Sequence, residues 1–267
     1  MTNIMDTALI QSLGDELYDA WSRRRTLAPL TRRHPGITVD DAYAISLRFL
    51  ARREQAGERV SGKKIGVTSL AVQQMLDVHQ PDFGFLTDSM QHPDGASLSL
   101  AATGLMQPRA EAEIAFMLKH DLHGPGVTRD DVLAATEWVA PCFEIVDSRI
   151  DDWQIRIQDT VADNASCGVF VVSGRHTDPL SLDLATVRMQ MWRNGEPAGE
   201  GLGSAVQGHP AEAVAWLANT LGRFGIPFRR GELILSGSLG PLVPATPGDR
   251  FTMQIDGLGA CAVNFVE

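Results

Sequence analysis

The chain has 267 residues, of which 44% are hydrophobic, and its formal net charge at pH 7 is -10. This length suffices for one large domain or for a core domain with a smaller appendage. The acidic balance opposes nucleic-acid binding, which normally needs a basic surface, and no apolar run approaches the roughly 20 residues that span a bilayer. We therefore expect a globular protein that acts on a small molecule, without a nucleic-acid or membrane partner.

The amino-terminal part of the sequence has helical periodicity. From Asp6 to about Arg25 the apolar residues recur at intervals of three and four, which predicts an amphipathic helix. A second helix is predicted from Thr38, its N-cap, to about Ala56, because Asp41 stands where a capping-box arrangement needs an acceptor side chain.

The cysteines and the first residues bear on the cellular compartment. Cys142, Cys167 and Cys261 are few, odd in number and without CxxC spacing, which predicts reduced thiols in the core and a cytoplasmic location. Residues 1–18 lack a basic start followed by an apolar block, so we expect no secretory signal.

Two charged residues stand among glycines and a proline. Lys64 lies in the stretch 62–66, and Asp82 lies in the stretch 80–84, after a predicted short helix over 69–76. Loops on a rigid scaffold often carry catalytic groups, which favours a loop-borne site element here. A plain surface turn is the alternative interpretation.

From Phe83 onward, short strand-like runs separated by glycine, proline and aspartate replace the helical pattern. This change predicts an α+β fold, with a mainly helical region over 1–80 and a β-rich core over 81–267. Within the core, capped helices are predicted over 128–138 and 209–224.

Two glycine-containing stretches of the core call for different interpretations. The stretch 199–203 matches no phosphate-binding motif and is predicted to be a loop. The run 232–240 is predicted to be a strand with a serine- and glycine-rich end. Such an end can present N–H groups and hydroxyls to a carboxylate, and a simple turn is the alternative.

Three glutamates lie in two apolar runs. Glu111 and Glu113 are spaced by two, so on a strand their side chains project from the same face. Close carboxylates in an apolar setting repel each other and lose hydration unless a cation or protons neutralise them. Together with Glu144 from the second run, they predict an oxygen-only site for a hard divalent ion such as Mg²⁺ or Mn²⁺. A solvated face of a half-buried sheet is the alternative that the spacing alone leaves open.

The chain resembles a known enzyme family over nearly its whole length, and the resemblance rests on six linked motifs. It is that of the 2-hydroxypenta-2,4-dienoate hydratases, also called 2-oxopent-4-enoate or vinylpyruvate hydratases, of the fumarylacetoacetate hydrolase superfamily. The motifs are GKKIGVT at 62–68, HQPDFG at 79–84, PRAEAEIAF at 108–116, PCFEIVDSRI at 141–150, DTVADNASCG at 159–168 and LSGSLG at 235–240. The resemblance implies a fumarylacetoacetate-hydrolase-like core of mixed sheets. It also implies hydration of 2-hydroxypenta-2,4-dienoate to 4-hydroxy-2-oxopentanoate in meta-cleavage degradation of aromatic compounds.

The resemblance further implies a cofactor and partners. The family's metal ligands fall on Glu111, Glu113 and Glu144, with Mg²⁺ or Mn²⁺ as the ion. The substrate is a small anionic 2-hydroxydienoate. Relatives form large rings, often decamers, so a homo-oligomer is expected, and association with 4-oxalocrotonate decarboxylase or a downstream aldolase is a further expectation.

Four more residues are candidates for the chemistry beside the ion, which would stabilise negative charge on the substrate's 2-oxygen. We interpret Lys64 as a cation that binds the substrate carboxylate or shuttles the proton, and Asp82 as a group that orients or deprotonates water. Ser166 and Ser238 are candidate substrate contacts, and packing or turn roles are the alternatives for both.

Other functions compete with hydration of the five-carbon dienoate. The 4-oxalocrotonate decarboxylases look much alike, but tend to have DAR and NAAN where this chain has DSR at 147–149 and NASC at 164–167, which favours hydration. Gln154 stands where hydratases often carry a lysine, which bears on substrate preference. Since the sequence does not fix the chain length of the substrate, a six-carbon 2-hydroxyhexa-2,4-dienoate is an alternative. The intact carboxylate triad opposes a catalytically silent partner of a decarboxylase. The His/Glu elements expected for carbon–carbon bond hydrolysis are not recognisable.

Overall fold

The computed structural model describes residues 5–68, 73 and 78–267. The short helix predicted over 69–76 lies, apart from Gln73, outside the described residues. No helix within the described ranges has the length and apolar character needed to cross a membrane. The three cysteines are buried and free, as predicted.

Three helices come first in the described chain. They are α1 (Thr7–Ser22), α2 (Leu30–Arg33) and α3 (Val39–Gln55). Asp6 caps α1, and Thr38 and Asp41 form the predicted capping box of α3. Both long helices agree with the prediction, and they pack against each other through a buried apolar cluster that includes Leu17 and Phe49.

Four helices follow in the part of the chain that the structure describes. They are α4 (Leu100–Thr103), α5 (Arg129–Ala135), α6 (Ile157–Ala162) and α7 (Pro210–Gly222). The start of α5 agrees with the prediction, but its predicted extension to Trp138 is wrong. A strand begins at Thr136, because β-branched and aromatic residues favour extended backbone and this segment pairs with a neighbouring strand.

Eight strands of the described chain form the larger of two sheets. They are β1 (Val60–Gly66), β2 (Asp82–Thr87), β3 (Gln91–Pro93), β5 (Arg109–Leu118), β6 (Thr136–Val146), β7 (Cys167–Val172), β10 (Leu233–Leu235) and β11 (Val243–Pro244). Their order is β2-β1-β10-β5-β6-β7-β3, and β11 pairs with β5. The central strands β5 and β6 are antiparallel and paired along almost their whole length.

Five strands form the smaller sheet. They are β4 (Ser97–Ser99), β8 (Arg188–Arg193), β9 (Glu196–Leu202), β12 (Arg250–Ile255) and β13 (Gly259–Val266), in the order β4-β13-β12-β8-β9. The predicted α+β class, with a helical amino-terminal part and mixed sheets, is confirmed. The predicted division into 1–80 and 81–267 stays a prediction. Strand β1, which lies before residue 80, pairs with β10 in the larger sheet.

The loop predicted over 199–203 is wrong, because most of this stretch belongs to β9 and pairs with β8. Its glycines serve close packing. A Cβ at Gly201 would lie 1.7 Å from the backbone oxygen of Leu239, which no side chain could accommodate.

The two faces of the larger sheet bury different clusters. One face packs against the smaller sheet, where Phe143 meets Phe251 edge to face with ring centroids 6.3 Å apart. The other face buries a smaller cluster that includes Ala115 and Ala140. Alternation along β5 places its two glutamates on this second face.

A turn before β7 joins the two distant strands β2 and β7. The side chain of Asn164 accepts from the backbone N–H of Phe85 at 2.8 Å and donates to its carbonyl oxygen at 2.9 Å, so it takes the place of a strand neighbour. The buried Arg149 fixes the same turn by donating to Asp163 and to the carbonyl oxygen of Cys167. The turn thereby holds β2 close to β7, although the two strands are not neighbours in the order of the sheet.

Candidate active site

The pairing of β5 with β6 brings three carboxylates together. In this register Glu111 is opposite Glu144, and Glu113 is opposite Cys142. One oxygen from each glutamate can be chosen so that all three lie within 4.8 Å of one another. Glu113 and Glu144 are 1% and 0% exposed, whereas Glu111 is partly exposed, so solvent reaches the cluster from the Glu111 side.

The hydrogen bonds of the cluster leave room for a cation. Glu113 accepts from the backbone N–H of Gly237 at 2.8 Å. Neither oxygen of Glu144 makes a hydrogen bond within the described chain, although Lys64 Nζ lies 3.2 Å from Oε1 in an ion pair of poor hydrogen-bond geometry. Buried carboxylate oxygens without donors are unfavourable. The residues present therefore fit a hard divalent ion.

Lys64 and Asp82 meet the cluster from the neighbouring strands β1 and β2. The prediction that they are borne on loops is wrong, because Lys64 pairs with Leu235 and Gly84 within the sheet, and Asp82 begins β2 opposite Gly66. Both side chains are 2% to 3% exposed.

Gly66 is required by this arrangement. A Cβ at residue 66 would lie 2.3 Å from Asp82 Oδ1 and 3.3 Å from Lys64 Nζ, so a larger side chain would displace the two charged groups. Asp82 Oδ1 itself has no hydrogen-bond partner among the described residues. The result is a buried cation and a buried acid that converge beside the three glutamates.

Without a bound cation, burial and mutual repulsion raise the pKa values of the acidic groups in this site. Burial and then repulsion from Glu144 raise the pKa of Glu111 to about 8, against the effect of Lys64. Burial and the other two glutamates raise the pKa of Glu113 well above its ordinary value. Burial also raises the pKa of Asp82, against Lys64. Burial alone would lower the pKa of Lys64, but Glu144 and Asp82 raise it, so Lys64 is a cation at neutral pH.

The metal-free protein is expected to lose stability as the pH rises from 5 to 8. Below the ordinary pKa of 4.5, Glu111 is protonated in both the folded and unfolded chain, whereas between 4.5 and about 8 only the folded chain holds the proton. Its free energy of unfolding therefore falls across this range. With EDTA we expect Tm to drop by several degrees, about 2–4 °C per kcal/mol, and saturating Mg²⁺ to remove most of the drop, since the ion takes ionised carboxylates.

The difference between the EDTA and Mg²⁺ series is the quantity to measure. Asp163, whose pKa burial raises to about 6 against the effect of Arg149, contributes in both series and cancels in the difference. The Glu111→Gln variant should show a smaller difference. A metal-free Tm that stays constant or increases from pH 6 to 8 would contradict this account.

The hydroxyls of Ser166 and Ser238, the two candidate substrate contacts, are within hydrogen-bond distance of other groups of the chain. Ser166 is buried, and its Oγ lies 3.0 Å from the hydroxyl of Thr160. The hydroxyl of Ser238 donates to the carbonyl oxygen of Gly240 at 2.9 Å. Their roles toward a substrate stay predictions.

Sequence reasoning overlooked two groups beside the carboxylates. The serine- and glycine-rich end of β10 had the predicted ability to bind a carboxylate, but the carboxylate it binds is that of Glu113, through Gly237. Thr68 packs on the same glycine, since a Cβ at Gly237 would lie 2.5 Å from its Cγ2. Thr68 belongs to the motif at 62–68, but the order of residues in that motif does not indicate a contact with Gly237.

The family described as fumarylacetoacetate (FAA) hydrolase C-terminal matches residues 55–266. The chain belongs to the fumarylacetoacetate hydrolase family. Two curated relatives that match most of this chain are hydratases. The 2-hydroxyhexa-2,4-dienoate hydratase of Comamonas testosteroni is 72% identical over 98% of this chain and 99% of its own. The 2-hydroxypent-2,4-dienoate hydratase of Pseudomonas putida is 61% identical over 83% of this chain and 100% of its own. The predicted resemblance to these hydratases is confirmed.

One solved structure has the same fold over nearly the whole chain. The 4-oxalocrotonate decarboxylase from Pseudomonas putida G7, complexed with magnesium and adipate, has a TM-score of 0.94 and 35% identity, over 98% of this chain and 99% of that one. The chain is thus less similar in sequence to this decarboxylase than to the two hydratases.

Proposed function

We propose that the protein is a hydro-lyase that adds water to 2-hydroxypenta-2,4-dienoate, or to its six-carbon homologue, and forms the 4-hydroxy-2-oxo acid in meta-cleavage degradation of aromatic compounds. The observation that carries this proposal is the cluster of Glu111, Glu113 and Glu144 with the buried Lys64 beside it. The two hydratase relatives support the choice of reaction.

The three glutamates would hold a divalent cation, which we propose to be Mg²⁺ or Mn²⁺. The oxygens of Glu144, which accept no hydrogen bond from the described residues, and the short distances within the cluster support this ligand set. The magnesium named in the structure of the related decarboxylase supports the choice of ion. When bound, such an ion supplies Lewis acidity that stabilises negative charge on the 2-oxygen of the substrate.

Lys64 and Asp82 are proposed to move the protons. Hydration needs a proton at C5 and loss of the 2-hydroxyl proton, which together convert the dienol into a 2-oxo-3-enoate. Water is then added at C4, with a proton to C3. Lys64, as an ammonium group, would orient the anionic substrate and supply a proton. Asp82, whose raised pKa brings it closer to neutral pH, would take a proton from the attacking water.

Decarboxylation of 2-oxo-3-hexenedioate is the second candidate, favoured by the fold shared with the decarboxylase. The identities of 72% and 61% to hydratases weigh against it. A homo-oligomer, a cytoplasmic location and association with a decarboxylase or an aldolase stay predictions.

The decisive experiment is to supply the five-carbon and six-carbon dienoates with Mg²⁺ or Mn²⁺ and to follow the diene absorbance. We expect the absorbance to decay only with the ion present, with the 4-hydroxy-2-oxo acid as product. Unchanged absorbance with both substrates would rule out the hydratase. Release of carbon dioxide from 2-oxo-3-hexenedioate would instead identify the decarboxylase.

A further inference from the structure

A cavity of about 670 Å³ lies beside the carboxylate site. Its walls come from the segments 79–81 and 204–208, from Thr68, and from Trp216 on α7. Ligand cavities for small molecules typically measure about 300–1,000 Å³. None of the described lining residues is an aspartate, glutamate, lysine or arginine.

Two short connections join the cavity to the proposed reaction site. Thr68 lines the cavity and packs on Gly237, the residue whose N–H binds Glu113. Pro81 lines the cavity and directly precedes Asp82. The cavity wall is therefore linked to Glu113 through Thr68 and Gly237, and to Asp82 through the adjacent Pro81.

The backbone at the boundary is strained. Val67 has a φ of 56°, an unfavourable value for a β-branched residue. Gln73 fixes this conformation by donating from Nε2 to the carbonyl oxygen of Val67 at 3.0 Å. Strain of this kind persists where the surrounding structure imposes it, commonly beside ligands. Here it points Thr68 toward Gly237.

We infer that this cavity receives the hydrocarbon end of a monocarboxylic dienoate and that Trp216 sets the chain length that is accepted. The inference rests on the proposed function. A dienoate held by its carboxylate at the ion would direct its C5 or C6 end away from the glutamates. A second carboxylate at that end would lose hydration in the cavity, where the described lining residues include no lysine or arginine to pair with it. The apolar surfaces of Trp216, Pro81 and Ala205 suit a methylene or methyl group instead.

Replacing Trp216 with leucine is the test of chain length. We compare kcat/KM for the five-, six- and seven-carbon 2-hydroxy-2,4-dienoates. Because one methylene in an apolar pocket changes selectivity about 10- to 200-fold, the seven-to-five-carbon ratio should increase at least about tenfold. The converse variant Ala205→Leu, at an exposed position, narrows the cavity and should lower the ratio. Trp192→Leu, in β8 and away from the cavity, is the matched control and should leave the ratio unchanged.

Binding without turnover separates this inference from the proposed function. We measure calorimetrically, with Mn²⁺ present, the affinities of 2-oxohexanoate and 2-oxohexanedioate. The monocarboxylate should bind about tenfold more tightly or better, and the Ser204→Arg variant should reduce the difference by providing a cation. Equal or tighter binding of the dicarboxylate to the unaltered protein, or a chain-length ratio that neither cavity variant moves, would overturn the inference. Failure to hydrate either dienoate would overturn the proposed function alone.

Discussion

Substituting Glu113 with glutamine is expected to lower the metal-dependent kcat/KM by about three orders of magnitude. A Lewis-acid ion contributes several kcal/mol to a transition state, and a loss of about 4 kcal/mol corresponds to about a thousandfold at roughly 1.4 kcal/mol per tenfold. Mn²⁺ affinity, measured by calorimetry, should fall in parallel because one anionic ligand is lost.

The Glu113 substitution should spare the fold. Glutamine keeps an oxygen for the N–H of Gly237, which donates to Glu113 at 2.8 Å, and it removes one of three mutually repelling carboxylates. The Tm of the metal-free variant should therefore equal or exceed that of the unaltered protein. Glu137→Gln, an exposed position on the same strand as Glu144, is the control and should retain full activity. Full turnover by a metal-depleted Glu113→Gln preparation would refute the proposed ligand set.

Substituting Lys64 with methionine is expected to lower kcat by about two to four orders of magnitude, the range of a positioned proton donor or acceptor. Metal affinity, which should fall in the Glu113 variant, should not fall in the Lys64 variant. The ammonium group lies 3.2 Å from Glu144 and repels a cation bound there, so its removal should leave Mn²⁺ affinity unchanged or increased.

The contrast between turnover and metal affinity makes the Lys64 variant diagnostic. A purely structural lysine would lower the Tm of the metal-loaded protein and reduce both quantities together. Lys119→Met, at a half-buried position just after β5, provides the control for loss of a lysine. Unaltered kcat in a well-folded Lys64→Met protein would exclude Lys64 from the chemistry.

Local signals in the sequence predicted the local structure. Thr38 and Asp41 make their capping box within four residues, so the start of α3 could be inferred without knowledge of the rest of the chain. The spacing of Glu111 and Glu113 likewise fixes their shared face on any strand. What these patterns could not show is which strands become neighbours, because pairing depends on contacts between distant segments.

The wrong predictions also arise from contacts between segments that are distant in the sequence. Glycines predict a loop at 199–203, yet Gly201 lies in β9 and pairs with Met189 of β8. The residue is glycine because the backbone of Leu239 approaches it too closely for any side chain. The predicted helix over 128–138 ends early because the segment from Thr136 onward pairs with β5. Lys64 and Asp82 looked like loop residues because glycines surround them, whereas Gly66 provides space for their buried charged groups.

The groups proposed to carry the chemistry and the walls of the neighbouring cavity lie on different elements of the fold. Every group proposed to act on the reacting atoms lies on β1, β2, β5 or β6, four strands of one hydrogen-bonded sheet. The described walls of the neighbouring cavity lie outside these strands, on α7, on the segment before it, and between β1 and β2. Selection can therefore reshape Trp216 and its surroundings for a new substrate while the chemistry is inherited intact. Substitutions at Trp216, Ala205 or Ser204 would alter the proposed substrate cavity without changing any residue of those four strands.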